Sequence, residues 1–216
     1  MPLQMVAQRQ VVIYRDGRSP LRIDIEAVDS IRIEDALPEP HEAVDLGLKV
    51  LWAACNIGAE APEGYGSYFA WGEVASKEQY TEENYLYFNN ADGITLPQEI
   101  SGTEYDAAAV LWKGEWRMPT IADIEELTTR CTWTWTAENK VNGYRVTGPS
   151  GKSIFLPAAG QHRDVPINVG STGYYWSSTL SNEYTTAAYN LNFTGYTGRW
   201  SANRSYGFAI RPVCDK

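Results

Sequence analysis

The residue types concentrated between positions 181 and 206 suit noncovalent contact with a ligand better than covalent chemistry. This stretch contains four Tyr, four Asn, three Ser, two Arg and one Trp. Antibody paratopes use the same types, because rigid aromatic side chains supply contact area while small polar groups adapt their hydrogen bonds. An ordinary solvated sheet with turns would also fit this composition. The residues that we single out as candidate ligand contacts are Ser181, Asn182, Tyr184, Asn190, Asn192, Thr194, Tyr196, Arg199, Trp200, Ser201, Asn203, Arg204, Ser205 and Tyr206.

Apolar and polar residues alternate along the strand-like segment at the centre of this stretch. The apolar set is Tyr189, Leu191 and Phe193, and the polar set is Asn190, Asn192 and Thr194. Successive strand residues point to opposite faces, so we expect one buried face and one polar face. Asn is a poor strand former, so sheet formation alone does not account for two Asn on one face. The polar face is therefore a candidate binding surface.

The sequence lacks recognisable catalytic and metal-binding patterns. Cys55, Cys131 and Cys214 lie far apart and include no C-x-x-C pair, so no zinc or thioredoxin-type site is evident. A Ser-His-Asp triad would have to use His41 or His162, and we expect His162 to be a solvated loop residue. We therefore predict a protein that is not an enzyme, with no catalytic residue, no metal site and no cofactor.

Charge and composition exclude several classes of partner. The net charge of −9 opposes binding to nucleic acid, which requires clustered Lys and Arg, and also opposes binding to an anionic membrane. The hydrophobic content of 44% is that of a soluble globular protein. No stretch approaches the roughly 20 apolar residues of a membrane span, and no signal peptide is visible in the first residues. We expect no nucleic-acid partner and no direct membrane insertion.

The N-terminal region has the pattern of a small β unit followed by a linker. Residues 11–25 read as strand, Asp-Gly turn and strand, and residues 28–33 resemble a third strand. Pro38 and Pro40 cannot continue a ladder. The alternative is that this small sheet is an edge of the main domain. We predict an N-terminal β-hairpin appendage over 1–36, a linker over 37–42 and a ligand-binding domain over 43–216.

The main domain places two short helices before a series of strands. Asp106 can cap a helix over 107–112, and Thr120 can cap a helix that ends near Cys131. The apolar residues expected to pack in the core from one face of the second helix are Ile121, Ile124, Leu127 and Cys131. Strand-length segments follow at 132–136, 143–146, 153–156, 174–178, 188–193, 199–203 and 208–213. Helices followed by strands indicate an α+β fold rather than a wound parallel sheet.

Six ordered segments carry a resemblance to a known family. They are 45–53 (DLGLKVLWA), 68–73 (YFAWGE), 114–127 (GEWRMPTIADIEEL), 155–160 (FLPAAG), 173–178 (GYYWSS) and 207–213 (GFAIRPV). The third resembles a segment of formylglycine-generating-enzyme-like C-type-lectin folds. Together they resemble a large bacterial paralogous family that includes the variable proteins of diversity-generating retroelements. The resemblance covers the main domain and implies a C-type-lectin-like fold with two short helices and a mostly antiparallel, twisted sheet. The N-terminal hairpin resembles modules attached to bacterial surface proteins.

The resemblance also implies a function. In the retroelement-diversified relatives, adenine-directed mutagenesis changes codons on the last strands, just before the terminal motif that matches 207–213 here. The positions of this chain that match the changed ones are Ser181, Asn182, Tyr184, Asn190, Asn192, Thr194, Tyr196, Ser201, Asn203, Ser205 and Tyr206. It implies a non-enzymatic ligand-binding protein, diversified or a fixed paralogue, at the bacterial cell surface or outside the cell. Its partner would be a protein or other macromolecular ligand.

Two departures limit what the resemblance implies. Formylglycine-generating enzymes use an active-site cysteine pair, and the C-terminal strands here supply none. Calcium-dependent lectins use Glu-Pro-Asn or Gln-Pro-Asp together with Trp-Asn-Asp, and the chain contains none of these triplets. Two alternatives stay open. One is a structural subunit of a cell-surface assembly joined through the N-terminal hairpin, and the other is a formylglycine-generating-type oxidoreductase, which the missing cysteine pair disfavours.

Overall fold

The computed structural model describes residues 10–15, 18–24, 41–88, 95–193 and 197–216, the first two ranges by their backbone. The chain divides into two compact units, Met1–Glu39 and Pro40–Lys216. In the first unit, β1 (Gln10–Arg15) pairs antiparallel with β2 (Arg18–Asp24), which confirms the two predicted hairpin strands. The predicted turn at 16–17, the strand at 28–33 and the linker residues 37–40 lie outside the described residues.

The second unit is an α+β structure with two short helices and mainly antiparallel sheets. Its elements are β3 (Ala43–Val44), β4 (Val50–Ala53), α1 (Ala107–Trp112), β5 (Trp116–Arg117), α2 (Ile121–Arg130), β6 (Thr132–Glu138), β7 (Val141–Thr147), β8 (Ser153–Pro157), β9 (Gln161–His162), β10 (Pro166–Ile167), β11 (Gly173–Leu180), β12 (Ala187–Phe193), β13 (Thr197–Asn203) and β14 (Val213–Asp215). The sheet orders are β3-β4-β14-β5, β6-β7-β8 and β11-β12-β13, with β9 and β10 as a short pair. Within the described residues, neither helix is long and apolar enough to cross a membrane.

Both helices begin where the sequence supplies a capping side chain. At the start of α1, the Asp106 carboxylate accepts hydrogen bonds from the backbone N–H groups of Ala108 and Ala109. At the start of α2, Thr120 and Asp123 form a reciprocal capping box. These caps satisfy N–H groups that have no partner within their own helix. The two predicted helices and their caps are confirmed.

The sheet β11-β12-β13, here called the central sheet, carries six of the predicted contact residues: Asn190, Asn192, Arg199, Trp200, Ser201 and Asn203. Its first face packs against α2, because Ile124 and Leu127 of α2 share a core cluster with Leu191 and Phe193 of β12. The cluster also contains Tyr175 of β11. The apolar stripe of α2 therefore packs in the core as predicted.

The second face of the central sheet is covered as well. Trp176 and Ala188 of this face share a core cluster with Trp71 and Phe208, and the rings of Trp176 and Phe208 stack at 4.2 Å between centroids. All seven residues of β12 are buried. The prediction that β12 has one buried face and one accessible polar face is therefore wrong, because the segments around 69–71 and 206–210 pack over the polar face.

Two tryptophan side chains fix the segment 69–71 against β11. Trp71 Nε1 donates to the carbonyl oxygen of Ser177 at 2.8 Å, and Trp176 Nε1 donates to that of Phe69 at 2.8 Å. Buried indole N–H groups need such acceptors. These two hydrogen bonds hold the segment 69–71 in place over the second face of the central sheet.

The C-terminal motif is not the continuous strand that its composition predicts for 208–213. Phe208 bridges to Phe69 and Ala209 bridges to Tyr175 as isolated pairs, and β14 begins only at Val213. Pro212 has no N–H group to donate to a ladder. The backbone groups of this segment instead form hydrogen bonds with several different parts of the chain.

Candidate functional site

The predicted contact residues divide into groups by their exposure. Asn182, Tyr184, Arg199, Trp200 and Ser201 are exposed, Asn203 and Tyr206 are partly buried, and Ser181, Asn190, Asn192, Arg204 and Ser205 are buried. Thr194 and Tyr196 lie outside the described residues. The two large aromatic side chains that face solvent are Tyr184, which is 61% exposed, and Trp200, which is 50% exposed. They are the aromatic contact residues that a ligand can reach.

β13 is an outer strand of the central sheet, and its side chains point alternately to the two faces of that sheet. Trp200 pairs with Asn190 and therefore lies on the same face as that residue. Arg199 pairs with Leu191, on the face that α2 covers. The Arg199 guanidinium meets the Glu125 carboxylate of α2 at 2.9 Å. The predicted contacts on β13 thus belong to two surfaces, and Trp200 is the exposed aromatic residue on the face opposite α2.

Two of the predicted contact serines stabilise turns instead of facing solvent. Ser181 Oγ accepts hydrogen bonds from the backbone N–H groups of Glu183 and Tyr184. Ser205 donates from its backbone N–H and its hydroxyl to Asn203 Oδ1, at 3.0 and 3.1 Å. Short polar side chains commonly form such local bonds in turns. These serines fix the turns that bear Tyr184 and Tyr206.

Asn190 and Asn192 are closed off from solvent. Asn190 is 1% exposed and Asn192 is 9% exposed. Neither amide atom of Asn190, nor Oδ1 of Asn192, has a hydrogen-bond partner among the described residues. In this structure a ligand could not reach these amides, contrary to the expected accessible polar face. A buried polar group without a partner destabilises the fold.

We expect Asn190→Val to raise the free energy of unfolding by about 1–2 kcal/mol, because it removes an unpaired buried amide and Val is favoured in strands. Urea denaturation followed by tryptophan fluorescence measures the change. Asn182→Val, at an exposed position, should stay within about 0.5 kcal/mol of the wild type. A clear loss of stability in Asn190→Val would show that this amide has a hydrogen-bond partner in solution.

A cavity of about 430 Å³ lies where the central sheet ends, and we call it the sheet-end cavity. Its described lining residues are Tyr85, Phe88, Thr95, Leu96, Leu180, Thr185, Thr186, Asn203 and Arg204. Asn203 and Arg204 are among the contact residues predicted from sequence, and the other lining residues are not. The aromatic run at 85–88 (YLYF) is the sequence signal that could have identified one wall.

Comparison with family models, with curated proteins and with solved structures finds no match to this chain. What this chain can do chemically must therefore be inferred from the reactive groups of the described residues. No three His, Cys, Asp or Glu side chains within those residues cluster as metal ligands would. Cys55, Cys131 and Cys214 are free, and burial raises the pKa of each thiol, that of Cys131 to about 11. These thiols are protonated at neutral pH and are weak nucleophiles.

Tyr206 lies beneath a cation at the edge of the second face. The Arg163 guanidinium carbon is 4.0 Å from the centroid of the Tyr206 ring, which is a cation–π contact. The neighbouring His162 is partly buried, with its ring 5.5 Å from that of Tyr68 and 5.2 Å from that of Tyr80. The prediction that His162 is a solvated loop residue is wrong, because it belongs to β9 and packs among aromatic rings.

Proposed function

We propose that this chain is a non-enzymatic recognition protein in which Tyr184 and Trp200 anchor a protein or other macromolecular ligand. The observation that carries the proposal is that two large aromatic side chains face solvent at the central sheet, which is packed on both faces. Trp200, 50% exposed, lies on β13, and Tyr184, 61% exposed, lies in the turn between β11 and β12. Tyr and Trp supply most of the binding energy in many protein interfaces. A rigid support for such anchors reduces the entropy lost on binding.

We further propose a C-type-lectin-like fold of the type implied by the six sequence segments. Contacts among those segments support this proposal. Phe69 and Phe208 exchange backbone hydrogen bonds of 2.9 and 3.0 Å, and Trp176 stacks on Phe208. Arg211 donates to the carbonyl oxygens of Ala53 and Phe155. Five of the six segments thus meet in one scaffold, as expected if they are the constant part of a recognition domain.

We propose a location at the bacterial cell surface or outside the cell, and a relationship to retroelement variable proteins, diversified or fixed. Burial divides the predicted variable positions. Substitutions at Asn182, Tyr184 and Ser201 would change the surface, whereas substitutions at Asn190 and Asn192 would change the core. A near-copy of the codons for 175–213 in neighbouring DNA, with Asn at the variable positions and a reverse transcriptase beside it, would establish active diversification.

The recognition function is tested with the double variant Tyr184→Ala, Trp200→Ala. Wild-type protein is screened against an array of purified bacterial and host surface proteins and polysaccharides, and hits are measured by surface plasmon resonance. We expect the double variant to weaken binding at least about tenfold, because aromatic anchors typically contribute about 2 kcal/mol or more each. Its thermal midpoint should stay near that of the wild type, because both side chains are exposed.

Leu111→Ala provides the matched control. Leu111 is an exposed apolar residue of α1, 44% exposed, and its removal should leave the dissociation constant unchanged. Equal binding by the double variant and the wild type would contradict the proposed anchors. Failure of every array component to bind the wild-type protein would count against macromolecular recognition itself.

A further inference from the structure

A buried arginine faces the sheet-end cavity. The side chain of Arg204 lines the cavity, and only 9% of the residue is exposed. Its backbone is fixed on both sides, because its N–H donates to the Thr186 carbonyl oxygen at 3.0 Å and its own carbonyl oxygen accepts from Trp71 N–H at 2.8 Å. The guanidinium carbon lies 5.6 Å from the centroid of the Tyr85 ring. Arg204 is therefore held in place at the cavity wall.

The positive charge of Arg204 lacks an anionic partner among the described residues. Their salt bridges do not include Arg204, and its Nε has no hydrogen-bond partner there. Buried charges are normally paired or fully hydrogen-bonded. The buried Arg211 follows this rule, because it donates to four oxygens. Even the exposed Arg145, at a second cavity, pairs with Glu138 at 2.9 Å.

We propose that the sheet-end cavity binds a carboxylate of the ligand, held by Arg204. The inference rests on the proposed recognition function, because Asn203 and Arg204 follow Trp200 at the end of β13. A planar guanidinium matches a carboxylate with two parallel N–H···O bonds. Arg204 is the single Lys or Arg among the described lining residues, which suits one negative charge better than the two of a phosphate.

The neighbourhood of Arg204 defines the rest of the ligand group. Asn203 Nδ2 donates to the Glu82 carboxylate at 2.6 Å, so the Asn203 amide is engaged within the chain. The cavity, at about 430 Å³, is larger than a bare carboxylate and falls in the range of small-ligand sites. Tyr85, Leu96 and Leu180 supply an apolar wall. The ligand group is therefore a carboxylate joined to an apolar neighbour, about the size of one amino-acid residue.

The test uses N-acetyl-leucine and its uncharged amide as probes on the whole chain. Binding is followed by NMR through the backbone amide resonances of Thr185 and Thr186, which line the cavity and are present in every variant. We expect the acid to bind with a dissociation constant of roughly millimolar size, and the amide to bind at least about tenfold more weakly. N-acetylglutamate α-amide, whose one carboxylate is on the side chain, distinguishes a side-chain carboxylate from a chain terminus. Equal binding of the acid and the amide would overturn the inference, as would no binding of either carboxylate.

Variants of two arginines test whether the acid binds through Arg204 itself. Arg204→Met should weaken binding of the acid at least about tenfold without lowering the thermal midpoint, because it removes an unpaired charge. Arg145→Met, at the second cavity, should bind the acid like the wild type. A fall of the thermal midpoint by more than roughly 5 °C in Arg204→Met would show that Arg204 has a stabilising partner within the chain, and would overturn the inference.

The outcomes also separate this inference from the proposed function. Probe binding that depends on Arg204, in a protein that binds no array component, would support the carboxylate site and count against macromolecular recognition. An array component that binds Arg204→Met as tightly as the wild type, with no probe binding, would support recognition and overturn the carboxylate site.

Discussion

Replacing Arg211 with Met should lower the free energy of unfolding by about 3–5 kcal/mol. Arg211 is 1% exposed. Its Nε donates to Asn56 Oδ1 at 2.8 Å, its Nη1 to the carbonyl oxygens of Ala53 and Ala54, and its Nη2 to that of Phe155 at 2.8 Å. Met can fill part of the volume, but it leaves three buried acceptors and one partly buried acceptor without their donor. This loss is a large fraction of the roughly 5–15 kcal/mol that stabilises a typical domain.

Urea denaturation of two further variants shows whether hydrogen bonding or charge causes the loss. Arg211→Lys keeps the positive charge but cannot reproduce the planar fork of donors, so we expect it to lose most of the same stability. Arg145→Met removes an exposed arginine that pairs with Glu138, and it should change stability by less than about 1 kcal/mol. A similar small change in Arg211→Met would contradict the structural role of the Arg211 bonds.

The parts of the fold that sequence predicted well depend on local signals. Asp106 and Thr120 stand where a capping side chain is needed, and the helices begin beside them. Strands β6, β7, β8, β11, β12 and β13 lie where alternating or β-branched residues predicted them. A cap or a strand is determined mainly by neighbours within a few positions, and a single sequence displays those neighbours directly.

The errors arise from contacts between residues far apart in the chain. Alternation along 188–194 indicates which residues share a face, but not that Trp71 and Phe208 cover the second face. Burial of Asn190 follows from that cover. Likewise, the sheet-end cavity brings residues 85–96 together with residues 180–204, and no spacing within either segment indicates that they meet. Residue types therefore predicted which part of the chain holds the candidate site. Only the structure shows which of its residues are accessible, which are buried and which line the cavity.

Asp106→Ala should be the second most destabilising of the changes considered, with a loss of free energy of unfolding of about 2–4 kcal/mol. The carboxylate is fully buried and accepts four backbone hydrogen bonds. Oδ1 accepts from the N–H groups of Ala108 and Ala109, and Oδ2 accepts from those of Gly102 and Met118 at 2.8 Å each. The first pair is a helix cap worth about 1 kcal/mol. In the second pair, the buried Met118 N–H adds about 1–3 kcal/mol when left unpaired, whereas the N–H of the exposed Gly102 can bond to water.

Because Met118 precedes α2, Asp106 joins the two helices through one carboxylate, and the loss should extend beyond α1. Amide hydrogen exchange should accelerate at both Ala108 and Met118 in Asp106→Ala. Asp106→Asn keeps one acceptor oxygen and should retain part of the stability, since its amide nitrogen would face N–H donors. Asp164→Ala, at an exposed position, should stay within about 0.5 kcal/mol of the wild type. Faster exchange at Ala108 alone would show that Asp106 acts as a helix cap and does not connect α1 to α2.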